Sequence, residues 1–215
     1  MNRKEIKEAA KAKIKGNKWN IWWPYLVISI IMSVVSGIFG PKINIDLNDL
    51  ENLQNIQMPA SSYAVTAVTS IVQAILMGGF LKYIVDFVRT GKFNHDVIIK
   101  TIKEKWLALL VANLVGGLLI GLGCMLCLIP GIILAMAYAM VNYVILDTNL
   151  SGIDPLKKSR EMIKGHKWEY FVFGLSFIGW FLLVPLTLGL IMIWLFPYMT
   201  VAQAMYYEKL KSLTK

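Results

Sequence analysis

The residues best equipped for chemistry in this chain are few and scattered. Cys124 and Cys127 form a Cys-x-x-Cys pair, a spacing that serves disulfide exchange or half of a metal site. Their neighbours are Gly, Met, Leu and Ile, and no second pair or nearby His completes a ligand set. Two apolar filler cysteines are therefore expected, and no metal. His95 and His166 stand far in sequence from any cluster of carboxylates. No zinc-protease helix motif, phosphate loop, nucleophile elbow or dinucleotide fingerprint occurs. The reading is a protein without catalytic residues or cofactor. Four uncharged polar residues, Gln73, Asn113, Asn142 and Gln203, fall inside apolar stretches, with Ser29, Ser33 and Ser36 on one face of the first. They could line a polar cavity. The expected alternative is hydrogen bonding between helices, worth about 0.6 kcal/mol on average in a membrane.

The apolar stretches explain why so little chemistry is on offer. Of 215 residues, 57% are hydrophobic, against about 45–50% in soluble domains. The excess sits in six blocks, at 21–40, 63–82, 106–125, 129–146, 170–187 and 188–207. About 20 apolar residues at 1.5 Å each span the hydrocarbon core. The first block exceeds the 7–15 residues of a signal-peptide core, so it is expected to remain as a helix. Blocks three and four join through Leu126, Cys127 and Leu128. Blocks five and six nearly fuse, and Pro185 to Gly189 marks the turn between them. No ionisable residue falls mid-block, which argues against proton-coupled transport.

Charge fixes the expected orientation. Net charge is +9, and of 22 Lys and Arg all but Lys42 lie in alternate segments: the N-terminal tail, the segment from Lys82, the one from Lys157 to Lys167, and the C-terminal tail. The positive-inside rule puts those segments, and both termini, in the cytoplasm. The remaining long segment, 41–62, carries Asp46, Asp49 and Glu51 and reads as an extracytoplasmic loop. Cations that flank apolar blocks answer to membrane lipid rather than nucleic acid. Trp19, Trp22, Trp23, Trp106, Trp168, Tyr206 and Tyr207 cluster at the cytoplasmic ends as expected interfacial anchors.

A motif recurs at those ends. Residues 14–19 read Ile-Lys-Gly-Asn-Lys-Trp, residues 163–168 Ile-Lys-Gly-His-Lys-Trp, and residues 102–106 Ile-Lys-Glu-Lys-Trp. The chain thus reads as three parallel units, each a cytoplasmic surface helix followed by a membrane hairpin. Gly16 and Gly165 suit the left-handed residue that ends a helix, and Asp154-Pro155 suits a helix start. Within residues 1–20, Lys4, Lys7, Lys11, Lys15 and Lys18 form a stripe, with Ile6, Ala9, Ala10 and Ile14 mostly beside or opposite it. That is the pattern of an amphipathic helix on an anionic surface. Lys157, Arg160, Lys164 and Lys167 are the matching candidates for lipid headgroups in the third unit. Gly117 and Gly121 form a small-xxx-small pair expected to mark close helix packing.

Several stretches carry a resemblance: Met1 to Lys7 with Ala9-Ala10-Lys11 and Gly16-Asn17, Leu128-Ile129-Pro130-Gly131, Tyr138 to Asp147, Leu156 to Trp168, Leu175 to Trp180, and Phe196-Pro197-Tyr198. Over nearly the whole chain apart from 41–62 the sequence resembles an uncharacterised bacterial membrane family, domain of unknown function 975. That family resembles in turn the membrane domain of some glycerophosphodiester phosphodiesterases. The resemblance implies a bacterial plasma membrane and brings no catalytic residue.

The resulting expectation is an all-α polytopic membrane protein with six transmembrane helices in three hairpins. The expected function is non-enzymatic engagement of lipid, anionic lipid in particular, or of a partner protein, in envelope homeostasis. The alternative is a permease-like protein for a small or amphipathic molecule, including peptide export or immunity.

Overall fold

A computed structural model describes residues 3–39 and 60–214. The segment read as an extracytoplasmic loop, 41–62, lies outside the described residues up to residue 59. The described residues form helices and connections, with no strand among them. In chain order the helices are α1 (Arg3–Ile14), α2 (Lys18–Phe39), α3 (Ala60–Thr90), α4 (Asp96–Leu126), α5 (Leu128–Ala137), α6 (Val141–Asp147), α7 (Asp154–Met162), α8 (Lys167–Leu175), α9 (Ile178–Leu186) and α10 (Met192–Leu213).

Five described stretches are long and apolar enough to cross a membrane: Lys18–Phe39, Val65–Thr90, Asp96–Leu126, Leu128–Asp147 and Lys167–Leu186. The sixth expected block, 188–207, is not among them. Its first residues form the turn, and α10 runs on into Glu208, Lys209 and Lys211, which dilute its apolar character. Blocks four and five are each interrupted, at 138–140 and at 176–177. The expected surface helix of the middle unit is also absent as a separate element. Lacking the Gly of its counterparts, residues 96–105 continue without a break through Trp106 into α4.

Burial runs opposite to that of a water-soluble fold at one end of the bundle. Large apolar side chains such as Met125, Leu126, Leu186 and Leu188 are more than three-quarters exposed. A soluble surface avoids apolar patches on that scale, whereas lipid tails solvate them. The chain is built to be embedded in a membrane. The other end is tightly packed, with Phe80, Tyr83, Phe173, Phe177, Tyr198, Tyr206 and Tyr207 all at most 2% exposed. There α10 is the central element. Ring contacts pair Tyr170 with Tyr206, Phe177 with Tyr198 and Trp180 with Trp194, so α8–α9 and α10 run antiparallel about the turn. Leu188 (φ +49°) and Gly189 (φ +83°) make that turn.

The closest helix approaches lie elsewhere than expected. A Cβ on Gly117 or Gly121 would meet nothing within 4 Å, so that pair does not mediate packing among the described residues. Gly78 and Gly79 do: a Cβ on Gly79 would stand 2.9 Å from the Ile98 carbonyl. That clearance lets α3 and α4 pack backbone to backbone.

The first and third repeats share one geometry. Gly16 and Gly165 have φ of +86° and +87°. Asn17 N donates to Ile14 O and His166 N to Ile163 O, both at 2.9 Å. Ile14 and Ile163 are buried, while Trp19 and Trp168 are 69% and 71% exposed.

Candidate functional site

Helix α1 has an apolar face of Ile6, Ala10 and Ile14, and the fold buries it against protein rather than lipid. Its lysines are thereby carried onto the rings and open backbone of the neighbouring helices. Lys7 Nζ donates to Ser176 O at 3.1 Å and sits 4.4 Å from the centroid of Phe177. Burial, helped by the charges of Lys11 and Arg3, holds its ammonium below the usual lysine range. Lys13 Nζ donates to Val88 O at 2.7 Å, near the end of α3.

One turn further on, Lys11, Lys15 and Lys18 border one recess. With Ile14, Trp194 and Tyr198 they line a pocket of about 180 Å³. Its floor is aromatic: Trp194 packs between Trp180 and Tyr198, each about 5.1 Å away by ring centroid. Lys11 Nζ lies 5.7 Å from the Tyr198 centroid, a cation–π distance. None of the three lysines forms an ion pair with a described residue. A site with three ammonium groups, an aromatic floor and no carboxylate is arranged to take an anion attached to an apolar body.

The two breaks in the apolar helices are capped by the amphipathic helices. Between α5 and α6, Ser159 Oγ of α7 donates to Ala137 O at 2.9 Å and accepts from Met140 N at 3.2 Å. Between α8 and α9, Lys7 of α1 serves Ser176 O. Backbone groups released by a helix break must find such partners in an apolar setting.

The remaining sequence candidates are dispersed. Asn113 Nδ2 donates to Asn142 Oδ1 at 3.0 Å and to Leu109 O, so these two amides join α4 to α6. Gln203 is half-buried on α10, and Gln73 is exposed on α3. Lys4, Lys157, Arg160 and Lys164 are exposed and Lys167 half-buried; Lys157 pairs with Asp154 at 3.2 Å. Among the aromatic anchors, Trp19, Trp106 and Trp168 are exposed. Trp22 is half-buried, and Trp23 donates to His95 Nε2 at 3.1 Å. Tyr206 and Tyr207 are corrected from interface to core, because α10 is surrounded by packed helices. Cys124 and Cys127 are exposed free cysteines.

One cluster was not foreseen. Asp147, 3% exposed, receives Arg89 through both terminal guanidinium nitrogens, with Nη1 to Oδ1 at 2.8 Å. Lys211 and the Tyr207 hydroxyl also donate to it, at 2.6 and 2.9 Å, and Arg89 reaches Glu208 as well. This network ties the ends of α3, α6 and α10 together. Its sequence signal was Asp147 itself, a lone carboxylate closing an apolar block.

Residues 124–214 match the family model for protein of unknown function (DUF975). The DUF975 match runs from the last residues of α4 through α10, so it includes Ser159, Trp194 and Tyr198 but not α1. It is shorter than the nearly full-length resemblance read from the sequence, and it does not extend to the phosphodiesterases. No curated protein and no solved structure matches the chain.

Proposed function

We propose that this protein is a non-enzymatic component of a bacterial plasma membrane that holds an anionic lipid by its headgroup. The observation that carries the reading is the pocket of Lys11, Lys15 and Lys18 over Trp194 and Tyr198, with no carboxylate lining it. A lipid phosphate offers the negative charge that three lysines around one recess lack, and the glycerol and upper chains suit the aromatic floor. In this reading both termini face the cytoplasm, in line with the one-sided cations. Of the four polar candidates for a permease cavity, Asn113 and Asn142 bond to each other, and Asn113 borders an open crevice beside α3.

Native mass spectrometry of detergent-purified protein, offered equal amounts of an anionic and a zwitterionic phospholipid with identical chains, tests the reading. Preferential retention of the anionic lipid is expected. Equal retention of both would remove the proposal.

A further inference from the structure

Gln73 poses a problem that the headgroup site does not address. It lies within the membrane-type stretch Val65–Thr90, nine residues before Lys82, or about 13 Å along the helix. That places it near the middle of a hydrocarbon core of about 30 Å. Its side chain is exposed on α3, and no described residue bonds to it. A lipid tail has no group to offer a primary amide, and leaving the amide unpaired there is strongly unfavourable.

The surrounding face is shaped for close approach. Thr66, Ser70 and Gln73 follow at i, i+4 and i+7, on one side of α3, and all three are exposed. Ser70 Oγ is already bonded to Thr66 O at 2.8 Å, and the neighbouring Thr69 hydroxyl to Val65 O at 3.0 Å. These side chains are small and internally satisfied, which admits a second helix without leaving hydroxyls open. Beside them a largely apolar crevice of about 240 Å³, lined by Ala67, Ser70, Ala74, Leu110, Asn113 and Leu114, is open to take an incoming side chain; the Asn113 amide is already bonded to Asn142 and Leu109. Among the described residues of this face, Gln73 is thus the one group that demands a partner, and the partner must both donate and accept. A second glutamine amide does so: two of them related by a two-fold axis exchange two N–H···O bonds.

We propose that α3 is the contact between two copies of this chain, closed at mid-membrane by Gln73 of each. The test uses the full-length protein in liposomes, with Cys124→Ser and Cys127→Ser to remove the native thiols. In that background Gln73→Cys should form a disulfide-linked dimer on oxidation, while Leu118→Cys, on the exposed side of α4, should not. With native Gln73 restored, single-molecule photobleaching over a range of protein-to-lipid ratios should show dimers. Gln73→Leu should weaken association about threefold to tenfold, and Ser70→Leu should weaken it through steric exclusion. A monomer at every ratio would overturn the proposal, as would association unchanged by Gln73→Leu. Rapid labelling of Gln73→Cys by a membrane-impermeant thiol reagent would also overturn it, by showing a water-filled groove instead.

Discussion

Ser159 of α7 and Ala137 at the end of α5 are joined by a 2.9 Å hydrogen bond across 22 residues of chain. The same hydroxyl accepts from Met140 N, so one side chain bridges both lips of the break between α5 and α6. Ser159 is fully buried, and water has no access to replace it. Ser159→Ala should therefore cost about 1–3 kcal/mol, the penalty of leaving buried backbone groups unpaired. Thermal unfolding in detergent measures this, and Ser159→Thr, which keeps the hydroxyl, should lose less.

The glycines of α3 and α4 make opposite predictions. Gly79→Ala drives a methyl group against the Ile98 carbonyl, which is backbone and cannot rotate away. A loss of about 1–3 kcal/mol is expected. Gly117→Ala meets open space and should be neutral or stabilise by up to about 1 kcal/mol through helix propensity. The two variants, compared in one unfolding assay, separate a packing glycine from a permissive one.

The charge network at α3, α6 and α10 should depend mainly on Asp147. Asp147→Asn leaves Arg89 and Lys211 facing a neutral amide in a buried position, and a loss of about 1.5–3 kcal/mol is expected. Glu208→Gln removes a partner that is 30% exposed, where ion pairs are worth at most about 1 kcal/mol. A ranking with Glu208→Gln as the more damaging change would show that the clamp is organised differently.

Much of the architecture was legible in residue patterns. The first five apolar blocks and the Gly16 and Gly165 turns follow from hydropathy and local backbone preference, and they appear where expected, whereas the sixth block does not form a membrane-length apolar stretch. The breaks at 138–140 and 176–177 were not legible, because their cause is tertiary: Ser159 and Lys7 supply the bonds that the helix gives up. The same limit applies to α1. Its amphipathic pattern is equally consistent with lipid or protein under Ile6, Ala10 and Ile14, and only the position of α10 decides. Lys11, Lys15 and Lys18 were visible as a charged stripe. Their meeting with Trp194 and Tyr198, some 180 residues away, required the fold.

Orientation is accessible to reporter fusions. Fusions at 95, 160 and the C-terminus should report a cytoplasmic location, and one at 127 the opposite side. The motive is the confinement of all cations but Lys42 to alternate segments. An external signal at 95 or 160 would overturn the orientation, and an external C-terminus alone would show that α10 does not complete a sixth crossing.

A comparison of two triple variants in native mass spectrometry tests the lysine pocket directly. Lys11→Gln, Lys15→Gln and Lys18→Gln together remove three charges from the pocket. Lys157→Gln, Arg160→Gln and Lys164→Gln remove three from the exposed face of α7. With an anionic phospholipid titrated onto each protein, the first variant should lose at least tenfold in affinity for the most tightly held lipid, while the second should stay close to wild type. Equal losses in the two variants would mean that only overall charge matters, and would contradict a built headgroup site at α1 and α10.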